Sequence, residues 1–416
     1  YNIVDTMVVG QFVSKDALAG VGSTASMVFL IVQVAMGASV GCSVVISQLF
    51  GSKRLKDTKT ATYTTLISMG VLGAAFSIIG LLFLDLILQG LNTPANIYDL
   101  AREYLKIYLF GCTPMLLYNG ITSTFNALGE SKMPLYFLIL SSLLNVGLDL
   151  LFVIVFNMGV AGVAWATFIA QTVACVLSLT VLLYKINKIK TDEKAKLFDK
   201  GLFKKIAKIG LPSMLQQSVI SIGHIFVQSL VNSCGEVVVA GFTAATKLEG
   251  VLTSTYVNIG NALSSFTAQN IACQQTERIK QGFKTTLIVI AGLSAVMLVL
   301  SLLIPDAMIS IFVDASSSAE VIAVGREYVK IVGCFYIFAG LMILGNSVLR
   351  GSGDVKIVVF CSVCNIIVRV GVAYLFYAIW STESVIWWAV PLGWLVGTII
   401  SLARYFSGKW KNKAVV

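Results

Sequence analysis

Apolar runs of more than about 18 residues recur along the whole chain, separated by short polar or basic stretches. Their length argues for helices that cross a bilayer rather than for buried strands, and no period-2 alternation suggests an outer-membrane barrel. The pattern predicts a first span ending near residue 12, then spans over 24–49, 60–88, 99–128, 132–156 and 160–185. A second set follows over 204–231, 240–271, 279–312, 320–350, 356–380 and 385–407. Residues 1–12 read as the outer half of a helix whose inner half precedes Tyr1. The expected fold is an all-α membrane protein of twelve transmembrane helices in two pseudo-symmetric six-helix lobes, the first helix truncated. The lobes cover residues 1–185 and 204–416, joined by a polar, mixed-charge linker over 186–203.

The two halves repeat at a nearly constant offset. Ala19-Gly20 answers Ala240-Gly241, Gln48 answers Gln269 and Asp85 answers Asp306, each 221 residues apart. Arg102-Glu103-Tyr104 answers Arg326-Glu327-Tyr328 at 224, and residues 145–152 answer 369–376 at the same offset. Six spans per half is an even number, so both halves insert the same way up, as in transporters built from parallel repeats. Two equivalent bundles can rock about a shared path, and such duplication gives a receptor or an enzyme no evident advantage.

Composition agrees with the solvent inferred from the pattern: 57% of the 416 residues are hydrophobic and 12% charged, with a mean hydropathy of +0.87. A net charge of +10 could point to nucleic acid, but 23 of the 30 Lys and Arg fall in six short stretches: 51–60, Lys132, 185–208, 272–284, 350–356 and the tail. The alternate loops at 88–99, 157–160, 232–240, 313–320 and 381–384 hold none. By the positive-inside rule the basic stretches, the linker and the C-terminus lie in the cytoplasm. The charge orients the chain in the plasma membrane and excludes a nucleic-acid partner. Cys361 and Cys364 form a CxxC inside an apolar run with no second pair, which reads as packing rather than metal or redox chemistry. No HExxH or GxSxG motif supports a membrane-embedded enzyme, and no soluble domain supports a receptor.

Against this apolar background, Asp5, Asp149 and Thr167 fall in three different spans at similar depth. Each lies about eight residues, or about 12 Å, from an outer helix end. Carboxylates at that depth are costly and usually face a bundle interior in the service of transport. Asn145 and Asp149, four residues apart, project from one face of a helix. Two carboxylates, an amide and a hydroxyl are hard oxygen ligands suited to Na⁺ or a carried proton, and unsuited to zinc. Two carboxylates sharing a dry pocket cannot both ionise cheaply, so the pair can hold a proton or exchange it for Na⁺ or a cationic substrate. The same oxygens serve H⁺ and Na⁺ equally well.

At Val4-Asp5-Thr6, Gly10, the Asn145/Asp149 pair and the turn Arg350-Gly351-Ser352-Gly353-Asp354, the chain resembles the multidrug and toxic compound extrusion (MATE) family over essentially its whole length. The resemblance implies a cation-driven antiporter that exports amphipathic organic cations and needs no cofactor. In the DinF-like branch an aspartate on helix 1, an asparagine and an aspartate on helix 5 and a threonine on helix 6 form a site in the first lobe. Those roles fall on Asp5, Asn145, Asp149 and Thr167. The NorM-like branch is associated with acids on helices 7 and 10. Here helix 7 has none and helix 10 has Glu327 only near its outer end, which favours the first lobe. The rival within transport is a flippase for a lipid-linked precursor, whose cavity should present several basic residues.

Other polar positions carry weaker expectations. Gln33, Met36, Tyr118, Met214, Gln217 and Tyr256 could line a substrate cavity through cation–π and soft contacts. Glu249 and Arg369, the latter at the repeat position of Asn145, are expected to pair as a structural ion pair. His224 reads as a packing or hydrogen-bonding residue, and Asp85 and Asp306 should meet the headgroup region. The partners expected are the lipid bilayer and small organic cations, and the chain is expected to act as a monomer.

Overall fold

The computed structural model describes residues 2–191, 193–313 and 319–416; the side chains of residues 2–4, 6, 7 and 15 are outside that description. The side chains of Val4 and Thr6 of the helix 1 motif, and residues 314–318 of the basic-free loop at 313–320, therefore lie outside the description. The described residues form α1 (Asn2–Phe12), α2 (Lys15–Gly51), α3 (Leu55–Leu82), α4 (Leu84–Gly90), α5 (Tyr98–Phe110), α6 (Cys112–Ala127), α7 (Lys132–Leu150) and α8 (Gly159–Lys188). They continue as α9 (Lys200–Asn232), α10 (Glu236–Ile271), α11 (Thr276–Leu303), α12 (Pro305–Ser310), α13 (Ala319–Gly333), α14 (Tyr336–Ser352), α15 (Val355–Trp380), α16 (Ser384–Trp387) and α17 (Ala389–Phe406).

Every expected span coincides with a helix or a broken pair of helices. Eight stretches among the described residues are long and apolar enough to cross a bilayer, and the pair α13–α14, bent by 52°, makes a ninth. The expected spans outside that set are α1, the pair α5–α6 and α10. The chain is a multi-pass membrane protein. Its breaks repeat as its sequence does: the third span of each half ends in a short extra helix (α4, α12), and the fourth is split (α5–α6, α13–α14). Pro305 at the first position of α12 cannot donate a backbone hydrogen bond and so starts a new helix.

The chain divides into two compact units, Tyr1–Met214 and Leu215–Val416, so that α9 begins in one and ends in the other. Within unit 1, α2 and α9 approach backbone to backbone. A Cβ added at Gly41 would stand 2.3 Å from the Ile206 carbonyl oxygen, and one at Gly37 would stand 2.6 Å from the Met214 Cα. The polar segment before α9 is fastened to α3. Tyr63 donates to Asn187 (2.7 Å) and Lys59 to the Ile189 carbonyl (3.1 Å), while the Lys196 and Asp199 backbone N–H groups donate to Thr60 and Thr64. Lys56 pairs with Glu193, which holds that carboxyl below its usual range. Asp199 accepts from the Leu202 N–H (3.0 Å) and so caps the start of α9.

The outer-end aspartates do more than meet headgroups. Asp85 accepts from Arg102 at 2.7 Å and Asp306 from Arg326 at 2.5 Å, so each extra helix is latched to the fourth span of its own half by repeat-equivalent residues.

Candidate cation site and the charged cluster of unit 2

A buried stripe on α7 runs Phe137, Ser141, Asn145, Asp149 at four-residue intervals, which places the amide and the carboxylate on one inward face. Asn145 and Asp149 are both fully buried. Immediately after Asp149 the helix continues through Leu151–Val155 as a π-helical turn, a geometry frequent at functional sites. On α1, Asp5 is buried beside Val8 and Val9, and Thr167 on α8 is buried next to Ala166 and Ala170.

The structure brings these four residues together. The Thr167 hydroxyl donates to Asp5 Oδ2 at 3.1 Å, and Asn145 Nδ2 donates to Thr167 Oγ1 at 3.2 Å. The Asp149 carboxyl lies against that of Asp5. Ionised carboxylates only accept. Among the described residues, Asp5 Oδ1, Asn145 Oδ1 and both oxygens of Asp149 have no donor. Four acceptor oxygens left unmatched in one dry pocket are an unusual concentration, since buried polar atoms are nearly always paired.

Sequence reasoning missed a buried aromatic pair near this site. Tyr104 on α5, itself buried, lies within electrostatic reach of both Asp5 and Asp149, and its ring stacks on Tyr108 at 6.3 Å. The signal was present in the repeat, because Tyr104 is the counterpart of Tyr328, and Tyr328 serves the buried charge of unit 2.

In unit 2 the expected direct pair of Glu249 with Arg369 does not form. Glu249 instead accepts from the Tyr328 hydroxyl, while Arg369 Nε has no acceptor. Both groups are buried, at 7% and 5% exposure, and Tyr328 feels the charge of each. The wholly buried phenol needs an acceptor and lies nearer the carboxylate, so matched depth was not sufficient to pair the charges. At the repeat position of Asp149 stands Ala373, also buried. Tyr328 is boxed by Phe242 and Trp387, with ring centroids 5.6 and 5.3 Å away.

Of the expected cavity residues, Met214 lines a cavity of about 550 Å³ in unit 1, walled by α2, α3, Phe198 and the start of α9. Met36 is exposed on α2, and Gln33, Tyr118 and Gln217 are half-buried. Tyr256 is a correction. It is fully buried, and its hydroxyl pairs with Ser294 at 2.7 Å, so it packs α10 against α11 rather than lining a path. His224 is exposed on α9, within electrostatic reach of Arg369. Cys361 donates to the Gly397 carbonyl at 3.2 Å, a helix-packing contact.

The MatE family model matches residues 1–151 and 212–375. YpnP of Bacillus subtilis (strain 168), named a probable multidrug resistance protein, is 27% identical over 413 residues, covering 99% of this chain and 91% of its own. NorM of Thermotoga maritima, also named a probable multidrug resistance protein, is 24% identical over 441 residues, 100% of this chain and 90% of its own. A crystal structure of a MATE in complex with MaL6 shares the fold at a TM-score of 0.92 and 21% identity, covering 99% of this chain and 92% of that one.

Proposed function

Because the chain belongs to the MatE family, a family of transporters rather than enzymes, we propose that it is a cation-coupled multidrug antiporter of the plasma membrane. It exports amphipathic organic cations by alternating access of two lobes, residues 1–185 and 204–416, with the 186–203 linker and the C-terminus in the cytoplasm. One observation carries the reading: four unmatched acceptor oxygens gathered from Asp5, Asn145 and Asp149 beside the Thr167 hydroxyl. That set suits H⁺ or Na⁺ as the coupling ion.

In this reading the site, when empty of its ion, leaves the first lobe able to take up an organic cation from inside. An H⁺ or Na⁺ arriving from outside then neutralises Asp5 and Asp149, the substrate leaves, and the protein resets as a monomer. The names of the relatives, probable multidrug resistance proteins, support export of varied compounds. The flippase reading receives no comparable support, since the buried charged cluster of unit 1 is acidic.

The test is ethidium efflux from everted vesicles under pH and sodium gradients imposed separately. Wild-type protein should respond to at least one gradient. Asp5→Asn and Asp149→Asn should each abolish that response at normal membrane levels; gradient-driven efflux that survives both substitutions refutes the proposal.

A further inference from the structure

The two units differ in the charge they bury within the spans. Unit 1 buries the carboxylates Asp5 and Asp149 and, among the described residues, no Lys or Arg; unit 2 buries Arg369 as well as Glu249, and adds Lys247 on α10. Lys247 stands eleven positions beyond Glu236, the first residue of α10, and so about 16 Å along the helix. Its side chain is exposed, and Thr243, Gly250, Ser254, Asn258 and Asn261, also exposed, share its face at spacings of three and four.

Exposed Val251 and Val257 border this stripe on its two sides. Thr243 donates to the Val239 carbonyl and Asn261 accepts from Arg350, but Lys247 in the middle of the span cannot be turned towards hydrocarbon without a partner, so this face lines a watery path. Among the described residues Lys247 makes no ion pair or hydrogen bond. The one carboxylate near it in sequence, Glu249, lies two positions on and therefore on the far side of the helix, where Tyr328 holds it. The repeat counterpart of Lys247 at the 221 offset is Ser26, so the ammonium has no equivalent in the first half.

We propose that Lys247 is a substrate-selecting residue. Its ammonium receives an anionic oxygen group, a carboxylate or a phosphate, carried by the exported compound. The preferred substrates are then amphipathic molecules that bear such a group, with zwitterions ahead of simple cations. This rests on the export reading and narrows it.

The test is equilibrium binding to the purified full-length protein, read by fluorescence anisotropy with a rhodamine that carries a free carboxylate and with its ethyl ester. Lys247→Gln should weaken binding of the carboxylate dye by about tenfold, the size expected for one charge-assisted contact. Lys247→Glu should weaken it further, Lys247→Arg should retain it, and the ester should bind all four proteins alike or bind the glutamate variant more tightly. Equal losses for both dyes, or no change for either, would overturn the assignment. Discrimination in binding with no gradient-driven movement of either dye would sink the export reading and leave this one standing.

Discussion

Thr167→Val is the sharpest probe of the unit 1 pocket, because it removes one oxygen while keeping the shape of the side chain. In the folded protein that oxygen donates to Asp5 at 3.1 Å and accepts from Asn145 at 3.2 Å, inside a pocket only 5% exposed at Thr167. Its loss strands a carboxylate oxygen and an amide N–H together. A stranded buried group costs about 1–3 kcal/mol, more at the charged end, so about 3 kcal/mol is expected for the two. For units of roughly this size, about 2–4 °C accompanies each kcal/mol. The melting temperature in detergent, without coupling ion, should therefore fall by about 6–12 °C. Thr167→Ser, which keeps the hydroxyl, should recover most of it. A second readout separates site from scaffold: raising the coupling-ion concentration should stabilise wild type and the serine variant by mass action, and the valine variant only at a concentration at least tenfold higher. A valine variant that melts like wild type and keeps its ion response would refute the claim that this hydroxyl joins the two carboxylate-bearing helices.

Tyr328→Phe should destabilise by about 2–3 kcal/mol by stranding the Glu249 carboxylate, and adding Glu249→Gln should recover part of the loss in a thermal melt. Gly41→Ala should sharply lower yield and stability, since its Cβ meets backbone atoms of Ile206 and Gly210 at 2.3 and 2.8 Å; Gly22→Ala, with nothing within 4 Å, should behave as wild type in the same expression assay. Asp85→Asn and Asp306→Asn remove exposed ion pairs and should each change the melting temperature little, and less still in high salt. A large loss at either would mean that the latch carries more than surface electrostatics.

The spans were legible because a bilayer imposes length and polarity at once, and the repeat register located the third and fourth spans of both halves. Their breaks were not legible. Nothing in the apolar run through Gly111 distinguishes a split helix from a straight one until α5 and α6 must pack on different neighbours. Depth could likewise be read along the sequence, and Asp5, Asn145 and Thr167, which it put at one level, are joined by hydrogen bonds in the folded chain. Azimuth could not, which is why Glu249 met Tyr328 instead of Arg369. Tyr104 passed unnoticed for a related reason: a tyrosine in an amphipathic segment reads as an interfacial residue until the charges near it are known.

The π turn at Leu151–Val155 leaves α7 with slack in its backbone. Such a turn accommodates one more residue than the α-helical path would need. Losing a residue there would let the helix tip tighten into ordinary α geometry, while everything between Lys132 and Leu150 keeps its rotation about the axis. The two oxygen-bearing side chains of α7 thus sit at the inner edge of a built-in expansion joint. A residue could be lost from or added to the C-terminal tip of this helix without turning Asn145 or Asp149 away from their partners.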